Sequence, residues 1–121
     1  MAKKKHILVV EDDAILNELI RETLEGHGAR VTMAKNGEKA IELLASGMDL
    51  LLLDLLMPGT DGFAVLEHAH REFPKIPAVI LTNLSDKKSR DRCRTLGCKI
   101  YLVKSDLDDD DVWEAVSKQL V

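Results

Sequence analysis

Three uninterrupted apolar runs constrain this chain more than any other feature: Ile7-Leu8-Val9-Val10, Leu50-Leu51-Leu52-Leu53 and Ala78-Val79-Ile80-Leu81. Each is strand-length, and the lack of polar alternation means burial on both faces. A parallel sheet with helices on each side supplies that environment. The segments between the runs carry the helical period. Residues 14–25 place Ile15, Leu16, Leu19, Ile20 and Leu24 at helical spacing and stop at Gly26 and Gly28. Residues 30–33 alternate, Val31 and Met33 against Arg30 and Thr32, which predicts an edge strand. Asn36 caps a helix bearing Ala40, Ile41, Leu43 and Leu44 and ended by Gly47. Met57-Pro58-Gly59 reads as a turn, and a third helix over 62–72 closes at Phe73-Pro74. A polar helix over 86–96 stops at Gly97, and a strand follows over 100–103. The last helix, 109–120, sets Val112, Trp113, Val116 and Leu120 on one face. The prediction is a doubly wound α/β sandwich of five β-α units, strand order 2-1-3-4-5.

The length, 121 residues, fits a single domain over 1–121. Lys+Arg number 17 against Asp+Glu 21, a formal charge of −4, so the electrostatic footprint of non-specific nucleic-acid binding is missing. Aromatics at 3% are too few to stack bases or sandwich a flat cofactor ring. A spanning helix needs about 20 apolar residues, and the runs here hold four. Lys3-Lys4-Lys5 begins like a secretory leader, but Glu11-Asp12-Asp13 interrupts it after those four. A cytoplasmic protein without membrane contact is expected, with Cys93 and Cys98 as free thiols.

In open α/β sheets ligands bind beyond the carboxyl ends of the strands, where the strand order reverses. Asp12 and Asp13 leave strand one, Asp54 leaves strand three, Thr82 ends strand four and Lys104 follows strand five. Four of the five strands thus aim a reactive polar side chain at one edge. Three converging carboxylates repel by about 4 kcal/mol per close pair at an effective dielectric near 20. Oxygen ligands without a His or Cys cluster suit a hard divalent ion, best Mg²⁺, with Lys104 adding a further positive charge. An Asp, a dication, a hydroxyl and a Lys together match phosphoryl transfer to a carboxylate. Asp54 would attack phosphorus while Thr82 and Lys104 hold phosphoryl oxygens.

The set Glu11-Asp12-Asp13, Asp54 after its apolar strand, Met57-Pro58 with Asp61-Gly62, Thr82, and Tyr101 three before Lys104 resembles the receiver domain of bacterial two-component response regulators, chemotaxis receivers included. The resemblance covers essentially the whole chain. It implies the flavodoxin-like fold and a phosphorylation-activated switch rather than a turnover enzyme. It implies that Asp54 accepts a phosphoryl group from a sensor histidine kinase or phosphotransfer protein. It further implies a Mg²⁺ site of Asp12, Asp13, Asp54 and the Leu56 carbonyl, and a switch pair, Thr82 and Tyr101. The signal would leave through strand five and its flanking helices toward a downstream output protein.

Plainer roles compete at several positions. Asp12 or Asp13 could cap the first helix, Tyr101 could be edge-strand packing, and Asp108–Asp111 suits the first turn of the last helix. His68 and His70, two apart on a helix, are read as surface residues. Three rivals stay in view: a receiver-like binding module that is never phosphorylated, an aspartyl phosphatase and a flavin carrier. The phosphatase expects a second acid where Leu56 stands. Departures from the family pattern carry their own expectations. Ser105 follows Lys104 where proline is usual, and the Lys104–Ser105 peptide is expected to remain cis. Asn83 follows Thr82 where a small residue is more usual. Leu56 and Leu84 flank the path of an attacking water and cannot orient it, which predicts slow loss of the phosphoryl group. The basic, polar fourth helix is expected to be loosely held, and with the acidic last helix it could form a homodimer surface. With nothing after that helix, output is expected through a protein contact unless the chain is part of a larger regulator.

Overall fold

Alternation along the apolar strands decides what lies on each side of the sheet. In a computed structural model describing residues 4–120, Leu51 and Leu53 join one buried cluster while Leu50 and Leu52 join another. Leu8 and Val10 part from Ile7 and Val9 in the same way, as do Ala78 and Ile80 from Val79 and Leu81. Successive side chains of a strand point to opposite faces, so an unbroken apolar run needs a core on each. Each fully buried leucine contributes about 1.5–3 kcal/mol. The residues 1–3 and 121 of the expected single domain lie outside the described part.

Five strands, β1 (His6–Val10), β2 (Arg30–Ala34), β3 (Leu50–Leu53), β4 (Ala78–Thr82) and β5 (Ile100–Val103), pair in parallel in the order β2-β1-β3-β4-β5. Five helices connect or follow them: α1 (Ala14–Gly26), α2 (Gly37–Leu43), α3 (Gly62–Glu72), α4 (Lys87–Thr95) and α5 (Asp109–Gln119). Helices α1 and α5 cover one face through Ile20, Leu24, Val112 and Val116. Helices α2, α3 and α4 cover the other through Ala40, Val65, Leu66, Ala69 and Cys93. The doubly wound sandwich expected from the sequence is the observed fold. The outer strands β2 and β5 are only half-buried along most of their length, as edges are.

Local chemistry fixes the helix starts. Asp13, Asn36, Asp61, Asp86 and Asp108 each accept backbone N–H bonds at the head of α1 to α5 respectively. Asp108 and Asp111 exchange bonds in a full capping box, so the acidic run opens α5. Trp113 of α5 stacks on His27 at the end of α1, ring centroids 4.3 Å apart and planes within 4°. After β3 a two-rung antiparallel ladder, Leu56–Met57 with Thr60–Asp61, turns the chain into α3 through Gly59 at φ 68°.

Gly62 lets α3 approach that turn. A β-carbon there would sit 2.6 Å from the Leu55 α-carbon and 3.1 Å from the Asp54 carbonyl oxygen, both backbone atoms that cannot swing aside. Gly62→Ala should therefore lower the unfolding free energy by about 1–3 kcal/mol. Gly26→Ala, where a β-carbon meets open space, should leave it unchanged or raise it by about 0.4–1 kcal/mol. Urea titration of both variants checks the contrast.

Candidate phosphoacceptor site

The sheet carries its ladder one residue past the apolar strands, and that step builds the site. The amide of Glu11 donates to Ala34 O at 3.0 Å, and that of Asp54 to Val10 O at 3.1 Å. Val10 and Leu53 are register partners, so Glu11 and Asp54 leave neighbouring strands at the same level. Both side chains are buried, Asp54 at 4% exposure. Asn17 of α1 donates its side-chain amide to Glu11 O at 3.0 Å. Asp12, exposed, completes a cluster in which Glu11, Asp12 and Asp54 each offer a carboxylate oxygen within 4.8 Å of the others.

Lys104 crosses from the end of β5 to meet them. Its ammonium donates to Asp54 Oδ2 at 2.7 Å and to Glu11 Oε1. Burial works against the charge on Lys104, yet the two carboxylates prevail and raise its pKa. Burial likewise pushes the Glu11 carboxyl up, against the pull of Lys104. Three carboxylates facing one ammonium leave two formal negative charges in the cleft. The donors are all oxygen, which fits a hard dication such as Mg²⁺. Asp54 Oδ1 also accepts from the Leu56 amide at 3.0 Å, so the turn after β3 fixes its carboxylate.

Two sequence expectations need correction here. Asp13 does not join the cluster: its carboxylate caps α1, accepting from Ile15 N and Leu16 N at 3.0 and 3.1 Å. The third acid is Glu11, whose Oε2 accepts from the Asp13 amide at 3.2 Å. The Lys104–Ser105 peptide is trans, as is every peptide bond among the described residues. Lys104–Asp106 form a short 3₁₀ turn that delivers the amine without a cis bond. Ser105 also has an N–H that proline lacks, and it donates to Asn83 Oδ1 at 3.1 Å, tying the β5 and β4 exits together.

Thr82 is wholly buried at the end of β4, its Oγ1 accepting from the Leu84 amide at 3.3 Å. Tyr101 is half-buried on β5, and its hydroxyl donates to the Leu84 carbonyl. The Arg90 guanidinium lies 5.0 Å over its ring. Burial pushes the Tyr101 phenol up to about 12, so it remains a donor at neutral pH. Thr82 and Tyr101 thus engage one residue, Leu84, from its two backbone sides. Leu56 is half-exposed beside Asp54. His68 is half-buried, and the exposed His70 lies over Gly97.

The model of the response regulator receiver domain matches residues 7–117. This chain belongs to that family. Among its relatives, the transcriptional regulatory protein CpxR of Escherichia coli K12 is 40% identical over 98 residues, which are 81% of this chain and 42% of CpxR. ResD of Bacillus subtilis is 39% identical over 99 residues, 81% of this chain and 41% of ResD. The chain therefore spans about two-fifths of the length of the curated relatives it matches. Among solved structures, the non-phosphorylated HemR receiver domain of Leptospira biflexa aligns with TM-score 0.92 and 30% identity, covering 97% of this chain and 94% of that one. TrrA of Thermotoga maritima, solved in complex with Mg²⁺-BeF, aligns with TM-score 0.85 and 35% identity over 96% and 99% of the two chains. Receiver domains are signalling switches of two-component response regulators. No helix among the described residues is long and apolar enough to cross a membrane.

Removing the amine should expose how much these acids depend on it. Lys104→Met leaves Glu11 and Asp54 buried with no cation, and breaking a buried pair costs about 3–5 kcal/mol. Thermal unfolding without divalent ions should show that loss, and Asp54→Asn in the same background should recover part of it.

Proposed function

We propose that this chain is a phosphorylation-driven switch in which Asp54 accepts a phosphoryl group from a phosphohistidine of a sensor kinase or phosphotransfer protein. The observation that carries the reading is the buried Asp54 carboxylate, held by Lys104 and the Leu56 amide and facing Glu11 and Asp12. An Asp54 oxygen attacks phosphorus in line, a P–O bond forms, and the P–N bond to the donor imidazole breaks. No general base is required, because a carboxylate oxygen can attack without giving up a proton, unlike a hydroxyl or thiol. The catalytic work is placement and charge stabilisation.

Glu11, Asp12, Asp54 and the Leu56 carbonyl would hold Mg²⁺, which supplies neutralisation of the phosphoryl oxygens. Asp13 keeps its capping bond instead. Lys104 exchanges its bonds to Glu11 and Asp54 for a phosphoryl oxygen, and Thr82 Oγ1 turns from the Leu84 amide to donate to another. Leu84 then loses one of the contacts that place it, and Tyr101 follows through its own bond to the Leu84 carbonyl. The shift reaches the surface of α4, β5 and α5. That face is read as the output surface, toward a downstream protein or a second copy of this chain. The added charge at Asp54 is the input to this bistable contact set.

Incubation with Mg²⁺ and acetyl phosphate, followed by intact mass, tests the reading. One phosphoryl group should be gained and should disappear in Asp54→Asn. Asp12→Ala should slow the reaction at least tenfold, whereas Asp13→Ala should leave it near the parent rate and lower stability by about 1 kcal/mol for the lost cap. A steady release of phosphate from unrelated esters would point to a phosphatase instead.

The lifetime of the modified protein follows from the two leucines. Neither Leu56 nor Leu84 can hydrogen-bond a water opposite the P–O bond. Replacing Leu84 with Gln should shorten the half-life of the phosphoprotein severalfold, measured by mass after the donor is removed.

A further inference from the structure

The end of α4 holds a feature that the phosphoryl chemistry does not use. Gly97, at φ 92°, ends the helix in the left-handed region. Its amide donates to Arg94 O, and the Cys98 amide reaches back to Cys93 O at 3.0 Å. This is the paired-bond helix terminus in which the residue after the glycine packs on the residue five before it. Here both of those residues are cysteines. Both pack against the same buried cluster, Cys93 with no exposure and Cys98 half-buried beside it.

The backbone bond sets how far apart they can be. Given that 3.0 Å contact, ordinary bond lengths and the trigonal carbonyl leave the two α-carbons at most about 6.9 Å apart, a limit reached only when the carbonyl oxygen and amide nitrogen both lie on the line between them. A disulfide joins α-carbons about 4.4–6.8 Å apart. The two thiols also differ in character. The neighbouring Cys93 thiol and the Arg94 guanidinium hold the Cys98 pKa below its ordinary value, against the opposing effect of burial. The neighbouring Cys98 thiol, together with burial, raises that of Cys93. The half-buried sulfur is therefore the better nucleophile, and the enclosed one is its neighbour in reserve.

We propose that Cys98 and Cys93 form a reversible oxidation site, in which Cys98 reacts with a hydroperoxide and Cys93 resolves the product to an intrachain disulfide. The Cys98 thiolate attacks a peroxide oxygen, the O–O bond breaks, and hydroxide or alkoxide leaves, giving a sulfenic acid. The Cys93 sulfur then attacks the Cys98 sulfur, an S–S bond forms, and water leaves with the Cys93 proton. The peroxide is the oxidant throughout, and two thiols supply the two electrons. The bridge closes over the last turn of α4, a helix whose only buried residues are Ser89 and Cys93. Oxidation thus fastens the C-terminal end of α4 immediately before β5 and Tyr101.

The test is titration of the reduced full chain with hydrogen peroxide, alkylation under denaturing conditions, intact mass and peptide mapping. The expected product is a monomer that has lost two hydrogens and both alkylatable thiols, with Cys93 joined to Cys98, and dithiothreitol restores both. Cys93→Ser should instead accumulate a sulfenic acid on Cys98, trapped by dimedone. Cys98→Ser should leave Cys93 alkylatable after the same exposure. Two free thiols after peroxide, a disulfide between two chains, or sulfinic acid on Cys98 without a bridge each overturn the proposal. Mapping of the unsubstituted chain decides the matter even where a serine variant does not fold.

Discussion

One ammonium among buried acids governs how this sheet edge is built. Glu11 and Asp54 leave adjacent parallel strands at the same level, and two carboxylates cannot both be desolvated there without a cation. Lys104 supplies it from β5, two strands away from β3. The contact therefore ties together the centre and the edge of the sheet, and it does so with groups that would be costly if left alone. The arrangement is also poised for exchange. In the phosphotransfer proposed above, the ammonium exchanges its two carboxylate contacts for a phosphoryl oxygen and stays paired with an anion throughout.

Most of the scaffold was legible because burial on two faces leaves a plain mark on composition. The leucines of β3 read as one run in the sequence and divide between two cores in space. The acid cluster was harder to read. Three acids follow Val10, and the family resemblance points to Asp12 and Asp13 as the pair that joins Asp54. The register chooses differently, since the first residue beyond Val10 is the counterpart of the first residue beyond Leu53. Glu11 stands to β1 as Asp54 stands to β3, and counting from the strand ends would have found it. Asp13 then falls where the chain turns into α1, and a short acid at that point is drawn to free backbone amides.

The peptide after Lys104 shows a different limit. A family pattern with proline carries an expectation of cis geometry, but the expectation belongs to the proline rather than to the lysine. Ser105 restores an amide hydrogen, Asn83 accepts it, and a tight 3₁₀ turn places the amine. Two departures that look independent in the sequence, Asn83 and Ser105, are partners in space. The polar character of α4 is similarly resolved by its surroundings. Arg90 and Arg92 lie over the rings of Tyr101 and Phe63, so basic side chains cover aromatic surface that a more apolar helix would have covered.

The stacking of Trp113 on His27 joins the last helix to the first, across a face that cannot close until both are present. Trp113 is the sole tryptophan of the chain. Its fluorescence therefore comes from a single indole at the seam where N-terminal and C-terminal halves meet, on the side of the sheet away from α4. Emission at that point follows assembly of the tertiary structure as a whole, because the indole is set between the first and the last helix.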